Sequence, residues 1–289
     1  MNKKRGLLGN ILLYVLIIAI VAGTLFPVWW IGTVSLKQRS EALELPPKLF
    51  FTPTLKNYRE VLFGVDQSDY MLMVPDNRDF PRQVKNSVIV SFSATLLALV
   101  LGLPAAYAIS KFRFKQKKAV SLFIISTRIL PPIILVIPLF LAFRNLGLMD
   151  TKTGLVIIYS FISVSMVVWM MKGFFDEVPY ELIESARVDG CGHFGAMLKI
   201  AIPVSVPGIA ATAILVLISL WNEFLFAVIF TSRHARTVTM GVMSYITIRE
   251  IAWSNMAAVG ILITLPVLVF TIITQKRLVQ GLTAGAVKG

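Results

Sequence analysis

The segment 184-ESARVDGCGHFGAMLKIAIP-203 separates two long apolar stretches and is charged, broken by glycines and closed by a proline. The residues before it, from Pro179 onward, are typical of a short helix with acidic side chains near its N-terminus. Gly190 is the expected stop, because glycine adopts the left-handed conformation after a helix at little cost. A second short helix is predicted from about His193 to Ile200. The segment therefore predicts two helices joined by a tight corner.

The composition of the whole chain indicates a membrane protein. Of its 289 residues, 56% are hydrophobic and 15% are charged, whereas soluble domains contain about a quarter charged residues. The formal net charge of +13 is scattered between apolar runs. This distribution favours anionic membrane lipid, and not nucleic acid, as the partner of the basic residues.

Six stretches reach the roughly 20 apolar residues that a membrane-spanning helix needs. They cover residues 7–34, 87–109, 119–143, 154–171, 204–230 and 257–274. The first is too long for a signal peptide and lacks a cleavage pattern, so we interpret it as a retained anchor. The sequence thus predicts an all-α polytopic membrane protein with six transmembrane helices.

Basic residues in short connections predict the orientation. The connection 111–118, "KFRFKQKK", has five basic residues and no acidic one, and both termini are basic as well. With six spans these segments share one side, so both termini should be cytoplasmic. The expected organisation is an N-terminal anchor span (1–35), an external loop (36–86), a core (87–276) with cytoplasmic coupling helices (177–200), and a cytoplasmic tail (277–289).

The connection 172–203 departs from this basic pattern, with three basic residues against five acidic ones. A helix resting on lipid is one interpretation of its amphipathic character. Anionic headgroups would repel the acidic side chains, however. The acidity therefore favours a protein partner on the cytoplasmic side.

The same segment resembles the permease subunits of bacterial ATP-binding-cassette (ABC) importers. Their pattern is Glu-Ala-Ala, three residues, Gly, nine residues, and Ile-x-Leu-Pro, and here Ser185 replaces the middle Ala. The resemblance implies the type I ABC importer permease fold and a helix that docks into a groove on a separate ATPase. The docking and coupling residues that it implies are Glu184, Ser185, Ala186, Asp189, Gly190, Ile200 and Pro203.

The last residues, "GLTAGAVKG", resemble the tail of carbohydrate-importer permeases similar to the smaller permease subunit of maltose-type transporters. That tail reaches between two ATPase subunits, and a frayed polar terminus is the alternative. The tail contacts implied are Gln280, Gly281, Thr283, Gly285 and Lys288. The resemblance implies an importer of oligo- or disaccharides in the bacterial cytoplasmic (inner) membrane. Its implied partners are a second, non-identical permease, two ATPase subunits and an extracytoplasmic solute-binding protein.

No phosphate-binding Gly-x-x-x-x-Gly-Lys-Ser/Thr loop occurs in the sequence. ATP and Mg²⁺ are therefore expected on the partner ATPase, with no cofactor in this chain. His193 and His234 share no metal-ligand spacing with acidic residues or Cys191, so we expect no metal site and no catalytic residues. The chain is not expected to be an enzyme.

Arg128 and Glu223 lie within predicted spans, where ionisable groups are costly and are functional suspects. They lie roughly 14 Å apart in depth at 1.5 Å per residue, so direct pairing is not expected. Trp221, Asn222 and Glu223 form either a polar patch of the solute path or gate, or a contact with the partner permease, or they lie at the outer membrane interface with Trp221 as an anchor. Arg128 is interpreted as a structural clamp near Pro131, in a proline-interrupted span that we expect to line the pathway.

Two other functions stay open at this point. A permease of the same superfamily for a solute such as glycerol phosphate would retain the coupling segment, and Arg128 would serve the phosphate. An ion-coupled secondary transporter would need no ATPase and usually shows internal repeats. The long connection 231–256 is expected from the resemblance to meet the binding protein, or else to lie along the outer interface.

Overall fold

The computed structural model describes residues 7–64, 79–246 and 251–284, and the side chains of residues 9–64, 79–246 and 251–275. The helices are α1 (Leu7–Ser35), α2 (Lys56–Phe63), α3 (Phe80–Lys111), α4 (Lys117–Ser126), α5 (Ile133–Asn145), α6 (Lys152–Glu177), α7 (Tyr180–Val188), α8 (His193–Ala196), α9 (Ile202–Val204), α10 (Val206–Trp221), α11 (Leu225–Phe230), α12 (Val238–Gly241) and α13 (Trp253–Ala284). Short 3₁₀ turns lie at Arg39–Glu41 and Val242–Tyr245, and a π-helical turn lies at Met197–Ala201. Within these ranges the only β pairing is an isolated bridge between Ile246 and Ile251.

Four of the described helices, α1, α3, α6 and α13, are long and apolar enough to cross a membrane. A fifth span results if the helical segment His193–Val204 and α10, which meet at an angle of 81°, count as one. These helices coincide with the first, second, fourth, fifth and sixth predicted stretches. The prediction of an all-α protein with several membrane-crossing helices is confirmed.

The third predicted stretch folds as two short helices. α4 has 10 residues and α5 has 13, or about 15 and 20 Å at 1.5 Å per residue, against a hydrocarbon core of about 30 Å. Residues 127–132 separate them and contain Pro131 and Pro132, which lack the N–H that a continuous helix requires. We call these residues the α4–α5 break.

The fifth predicted stretch is interrupted near its C-terminal end. α10 ends at Trp221, and α11 begins at Leu225. Residues 222–224 form the α10–α11 break. The sequence is apolar on both sides of Asn222 and Glu223, and the predicted span ran through them, so the interruption was not predicted.

The helix α1 is apolar on every side and exposes that surface. None of the residues in its most apolar window is buried inside the chain. A helix with no polar face requires an apolar environment, which lipid or another membrane protein supplies. This is the expected behaviour of the predicted anchor span.

The described residues divide into two compact units. The first combines the chain up to Phe80 with Val242–Leu265, and the second combines Pro81–Gly241 with the residues from Pro266 onward. In the second unit α6 packs against α4, α10 and α11. Gly208 of α10 lies against the ring of Phe174, which would collide with any side chain there, so α6 and α10 approach closely.

Candidate functional site

The corner between α7 and α8 is closed by main-chain hydrogen bonds alone. Gly190 has a φ of +87°. Its N–H donates to the carbonyl oxygen of Arg187 over 3.1 Å, and the N–H of Cys191 donates to that of Ala186 over 2.9 Å. Together these bonds form a Schellman motif, which needs a left-handed residue at the glycine position. The predicted glycine stop is confirmed, and we call residues 180–204, from α7 to α9, the elbow.

One face of the elbow is buried and the other is exposed. Ile183 and Ala186 are 2% and 7% exposed and belong to the core of the second unit. Glu184, Ser185 and Asp189 are exposed. Ala186 differs from the expectation, because α7 uses its small side chain to pack inward. The surface open to a partner is therefore formed by the acidic side chains and the Gly190 backbone.

Two acidic groups of the elbow, Glu184 and Asp189, form no ion pair within the described part of the chain. Arg187 follows Glu184 by three residues but does not pair with it. The second half of the elbow carries the two remaining motif residues: Ile200 is half-buried against the core, and Pro203 is exposed.

Polar and aromatic contacts fasten the elbow, and the residues of the α6 end just before it, to the end of α3. The Nζ of Lys111, at the end of α3, donates to the carbonyl oxygen of Val178 over 2.6 Å. The hydroxyl of Ser110 donates to Asp176 over 2.6 Å. The ring of Phe112 meets that of His193 edge-on, with centroids 4.7 Å apart. A displacement of the elbow therefore acts on α3 as well as on α6 and α10, which are continuous with it.

A cavity of about 310 Å³ lies where the two helix breaks meet α6. Its lining comes from the α4–α5 break and α5 (Thr127, Arg128, Leu130, Pro132, Leu135), from α6 (Phe161, Ile162, Ser163, Ser165, Met166), and from α10, the α10–α11 break and α11 (Ser219, Leu220, Glu223, Leu225, Phe226). Non-helical backbone at membrane depth is tolerated where it is buried in protein or lines a water-filled cavity. Residues of both breaks line the same cavity.

Glu223 caps the helix that follows it. Its two carboxylate oxygens accept the backbone N–H groups of Phe226 (3.0 Å) and Ala227 (3.3 Å), at the start of α11. A carboxylate at a helix N-terminus satisfies donors that the helix leaves free and interacts favourably with its dipole. This capping role explains how an acidic residue is tolerated within the predicted span.

Arg128 lines the same cavity but forms no ion pair with Glu223 within 4 Å in the described residues. The absence of an Arg128–Glu223 ion pair agrees with the prediction made from the difference in their depths along the spans. Its guanidinium also forms no hydrogen bond in that part of the chain, so the interpretation of Arg128 as a clamp has no support. Pro132, and not the predicted Pro131, contributes to the cavity wall.

Trp221 and Asn222 do not line the cavity that Glu223 lines. Trp221 is 7% exposed and lines a separate apolar groove of about 180 Å³ with α3 and α13 residues such as Phe92 and Phe270. The Asn222 amide donates to the carbonyl oxygen of Ile218 in its own helix over 2.8 Å. Of the predicted Trp-Asn-Glu patch, only Glu223 faces the cavity.

Comparison with known proteins connects this geometry to a family. A sequence profile described as "Binding-protein-dependent transport system inner membrane component" matches residues 98–284, which carry both the elbow and the cavity. The chain belongs to this family. It is therefore a multi-pass component of the inner membrane, and the resemblance noted from the elbow sequence is confirmed.

Two relatives and one solved structure show what this chain is similar to. The chain is 34% identical to the trehalose/maltose transport system permease protein MalG of Thermococcus litoralis, over 99% of each chain. It is 34% identical to the trehalose transport system permease protein SugB of Mycobacterium tuberculosis, over 93% of this chain and 94% of that one. A bacterial ABC transporter involved in the import of the acidic polysaccharide alginate shares the fold, with a TM-score of 0.73 at 20% identity over 96% and 98% of the two chains.

Sequence reasoning missed two hydroxyl groups of the permease cavity. Ser163 of α6 and Ser219 of α10 line the cavity, and neither hydroxyl forms a hydrogen bond in the described residues. Serine is common in membrane helices, where it usually bonds to the preceding turn. Only the three-dimensional arrangement distinguishes these two from the others.

A second feature that the sequence did not predict is the Asp150 clamp, a set of hydrogen bonds that holds residues 232–235 after α11. The carboxylate of Asp150, between α5 and α6, accepts the backbone N–H groups of four consecutive residues, Ser232 to Ala235, over 3.0–3.1 Å. Burial alone would raise the pKa of Asp150, but hydrogen bonds from His234, Ser232, Ala235 and Arg233 together hold it well below its usual value.

Residues of α3 hold the same segment from another side. The Asn86 amide donates to the carbonyl oxygens of His234 (3.0 Å) and Arg236 (2.9 Å). The hydroxyl of Thr239 donates to the carbonyl oxygen of Glu223 over 2.9 Å. The segment 231–241 is therefore connected to the α10–α11 break, and through it to the cavity wall.

In the first unit a buried polar network occupies what the sequence predicted as an external loop. Glu60, 6% exposed, pairs with Arg39 (2.8 Å) and accepts the Asn255 amide (2.8 Å). The Nε of Arg39 donates to the side-chain Oδ1 of Asn255 over 3.0 Å. Such a closed network fixes the positions of its members.

The predicted tail residues lie at the limit of the described chain. Gln280, Gly281 and Thr283 are in the last turns of α13, which continues helically to Ala284, whereas Gly285 and Lys288 lie outside the described residues. Among the residues described, no group of three or more His, Cys, Asp or Glu side chains is arranged to hold a metal ion.

Proposed function

We propose that this chain is a transmembrane subunit of an ATP-driven importer for sugars, specifically oligo- or disaccharides. It pairs with a second, different permease, receives the sugar from a solute-binding protein, and docks two ATPase subunits that bind ATP and Mg²⁺. Six spans with both termini cytoplasmic are part of this proposal. The membership of the binding-protein-dependent family and the likeness to trehalose and maltose permeases support it.

The elbow is the observation that carries the coupling mechanism. Its corner is fixed by main-chain hydrogen bonds, and its acidic side chains are exposed. Its ends continue into α6 and α10, and Val178, just before it, is bonded to Lys111 of α3. A rigid element with these connections moves as one body when a partner pulls on it. ATP-driven closure of the ATPases shifts the elbow, and the spans around the cavity change between inward-open and outward-open arrangements.

Charge reversal at the elbow tests this function. Glu184→Lys should lower ATP-driven sugar uptake by at least about tenfold and weaken copurification of the ATPase, because like charges across an interface cost several kcal/mol. Glu44→Lys, the same change at another exposed glutamate, serves as the control. Undiminished uptake and ATPase binding in Glu184→Lys would overturn the docking role of the elbow.

A further inference from the structure

The cavity between the two helix breaks is lined by hydrogen-bond donors and by one acceptor that other described residues leave wholly or partly unused. Arg128, Ser163 and Ser219 supply donors that no other described residue engages. Glu223 has one backbone N–H on each carboxylate oxygen and also interacts with the buried hydroxyl of Tyr159, and a carboxylate accepts about four hydrogen bonds. The cavity therefore offers several donors and a partly used acceptor at one place.

We propose that this cavity is a binding site for an uncharged sugar ring, with Arg128 and Ser219 donating to ring hydroxyls and Glu223 accepting from one. The inference rests on the proposed function and extends it, since it assigns solute contacts to this subunit as well as a substrate class. Sugar hydroxyls both donate and accept, and a site with fixed groups of both kinds matches them.

The charges of the cavity favour a neutral solute over an anionic one. Arg128 and Glu223 contribute one positive and one negative formal charge and do not neutralise each other in an ion pair. An anionic sugar bound near Arg128 would also face the Glu223 carboxylate, which repels it. A neutral ring can bond to both groups without this repulsion.

The size and apolar lining agree with a small saccharide. A volume of about 310 Å³ lies at the lower end of the ~300–1,000 Å³ range of small-molecule pockets. Phe161, on the α6 side, is 67% exposed and presents an aromatic ring at the cavity. Its flat face provides an apolar contact for the C–H groups of a sugar ring, beside the polar groups.

The test uses the complete importer, with both permeases, the ATPases and the binding protein, reconstituted in vesicles. Uptake is measured for four neutral probes (maltose, trehalose, cellobiose and raffinose) and for two anionic ones (an alginate disaccharide and glycerol 3-phosphate). We expect a neutral probe to be imported in preference to both anionic probes. Preference for an anionic probe, or failure to import any neutral one, would overturn the proposal.

Variants then locate the contact. Arg128→Gln should raise the KM for the imported sugar about tenfold or more, since a hydrogen bond from a charged donor is lost, and Ser219→Ala should raise it less. Arg144→Gln, at an exposed arginine near the end of α5 and outside the cavity, is the matched control. An unchanged KM in Arg128→Gln contradicts the proposal.

A labelling measurement covers the case in which Arg128→Gln does not assemble. In a Cys191→Ser background, Ser219→Cys should react with a methanethiosulfonate reagent, and the imported sugar should protect it. A lack of protection argues against the binding site even if uptake proceeds. If the importer carries an anionic solute and Glu184→Lys abolishes that uptake, the neutral-sugar site is overturned while the proposed permease function still stands.

Discussion

The elbow and the transmembrane cavity both interrupt helices, but they satisfy the freed backbone groups in different ways. At the elbow, two main-chain hydrogen bonds around Gly190 close the corner, and side chains take no part in it. At the cavity, the α10–α11 break depends on the carboxylate of Glu223. The elbow is therefore a rigid element. The cavity wall, in contrast, can change its shape when the Glu223 side chain changes its hydrogen-bond partners.

The largest effect is expected from the backbone of the elbow. Gly190→Val places a β-branched residue at a φ of +87°, which costs roughly 1–2 kcal/mol or more. ATP-driven uptake should fall about tenfold because the corner is distorted. Reconstituted vesicles with a fixed amount of permease provide the measurement.

Gly192→Val is the matched control for this variant. Gly192 has a φ of −67°, and no atom lies within 4 Å of an added Cβ at either glycine. The two variants therefore differ mainly in backbone strain. An equal loss of uptake in both would show that the left-handed corner is not what the elbow needs.

An intermediate effect is expected at the cavity. Glu223→Ala removes the cap of α11 and should destabilise the permease by about 1–2 kcal/mol, with uptake reduced several-fold. Glu223→Gln retains one acceptor oxygen and should lose less. Thermal unfolding of the purified complex and uptake assays compare the two. If Gln is as harmful as Ala, the charge of Glu223 and not its capping bonds is essential.

The smallest effect on stability is expected at Asp150, whose hydrogen bonds lie outside both the elbow and the cavity. Asp150→Asn removes the charge and one acceptor and should lower stability by about 1 kcal/mol. Asp79→Asn, at a carboxylate that forms no hydrogen bond in the described part of the chain, is the control. A thermal unfolding temperature that Asp150→Asn leaves unchanged would show that the four N–H groups find other partners.

The lowered pKa of Asp150 also predicts how this clamp depends on pH. Because the folded-state pKa is depressed, its contribution to stability is complete above the unfolded value of about 3.9 and is lost as the pH falls below it. The stability difference between the natural chain and Asp150→Asn should therefore be constant from pH 5 to 8. A difference that changes across this range would contradict the assignment.

The elbow could be predicted because its determinants are consecutive in the chain. The glycine corner, the acidic residues and the closing proline all lie within residues 184–203. The inward position of Ala186 was not foreseen, since a motif identifies residues that matter without indicating which side of the helix packs on the core.

The cavity could be predicted only in part, because its walls come from segments about 100 residues apart. Arg128 and Glu223 were conspicuous as charges in apolar stretches, whereas Ser163 and Ser219 carried no such signal. Trp221 and Asn222 were grouped with Glu223 because they are adjacent in sequence. Neighbouring residues at the end of a helix point in different directions, about 100° apart, and the structure separates them accordingly.

The polar network of Arg39, Glu60 and Asn255 in the first unit could not be predicted from the sequence. Arg39 and Asn255 are 216 positions apart, and nothing in either local sequence specifies the other. Residues 36–86, which include Arg39 and Glu60, were predicted as an external loop from the topology alone. The mutual satisfaction of these polar side chains becomes evident only when α2 is seen beside the start of α13.

Accessibility of the elbow in the assembled importer tests the central claim most directly. In a Cys191→Ser background, Ser185→Cys places a thiol on the exposed face of α7, and Ser40→Cys, at another exposed serine, provides the control. Maleimide labelling of each is compared with and without the ATPase subunits. The ATPase should slow labelling at position 185 at least about tenfold and leave position 40 unchanged. Equal labelling of position 185 in both conditions would contradict the claim that a separate ATPase binds the elbow.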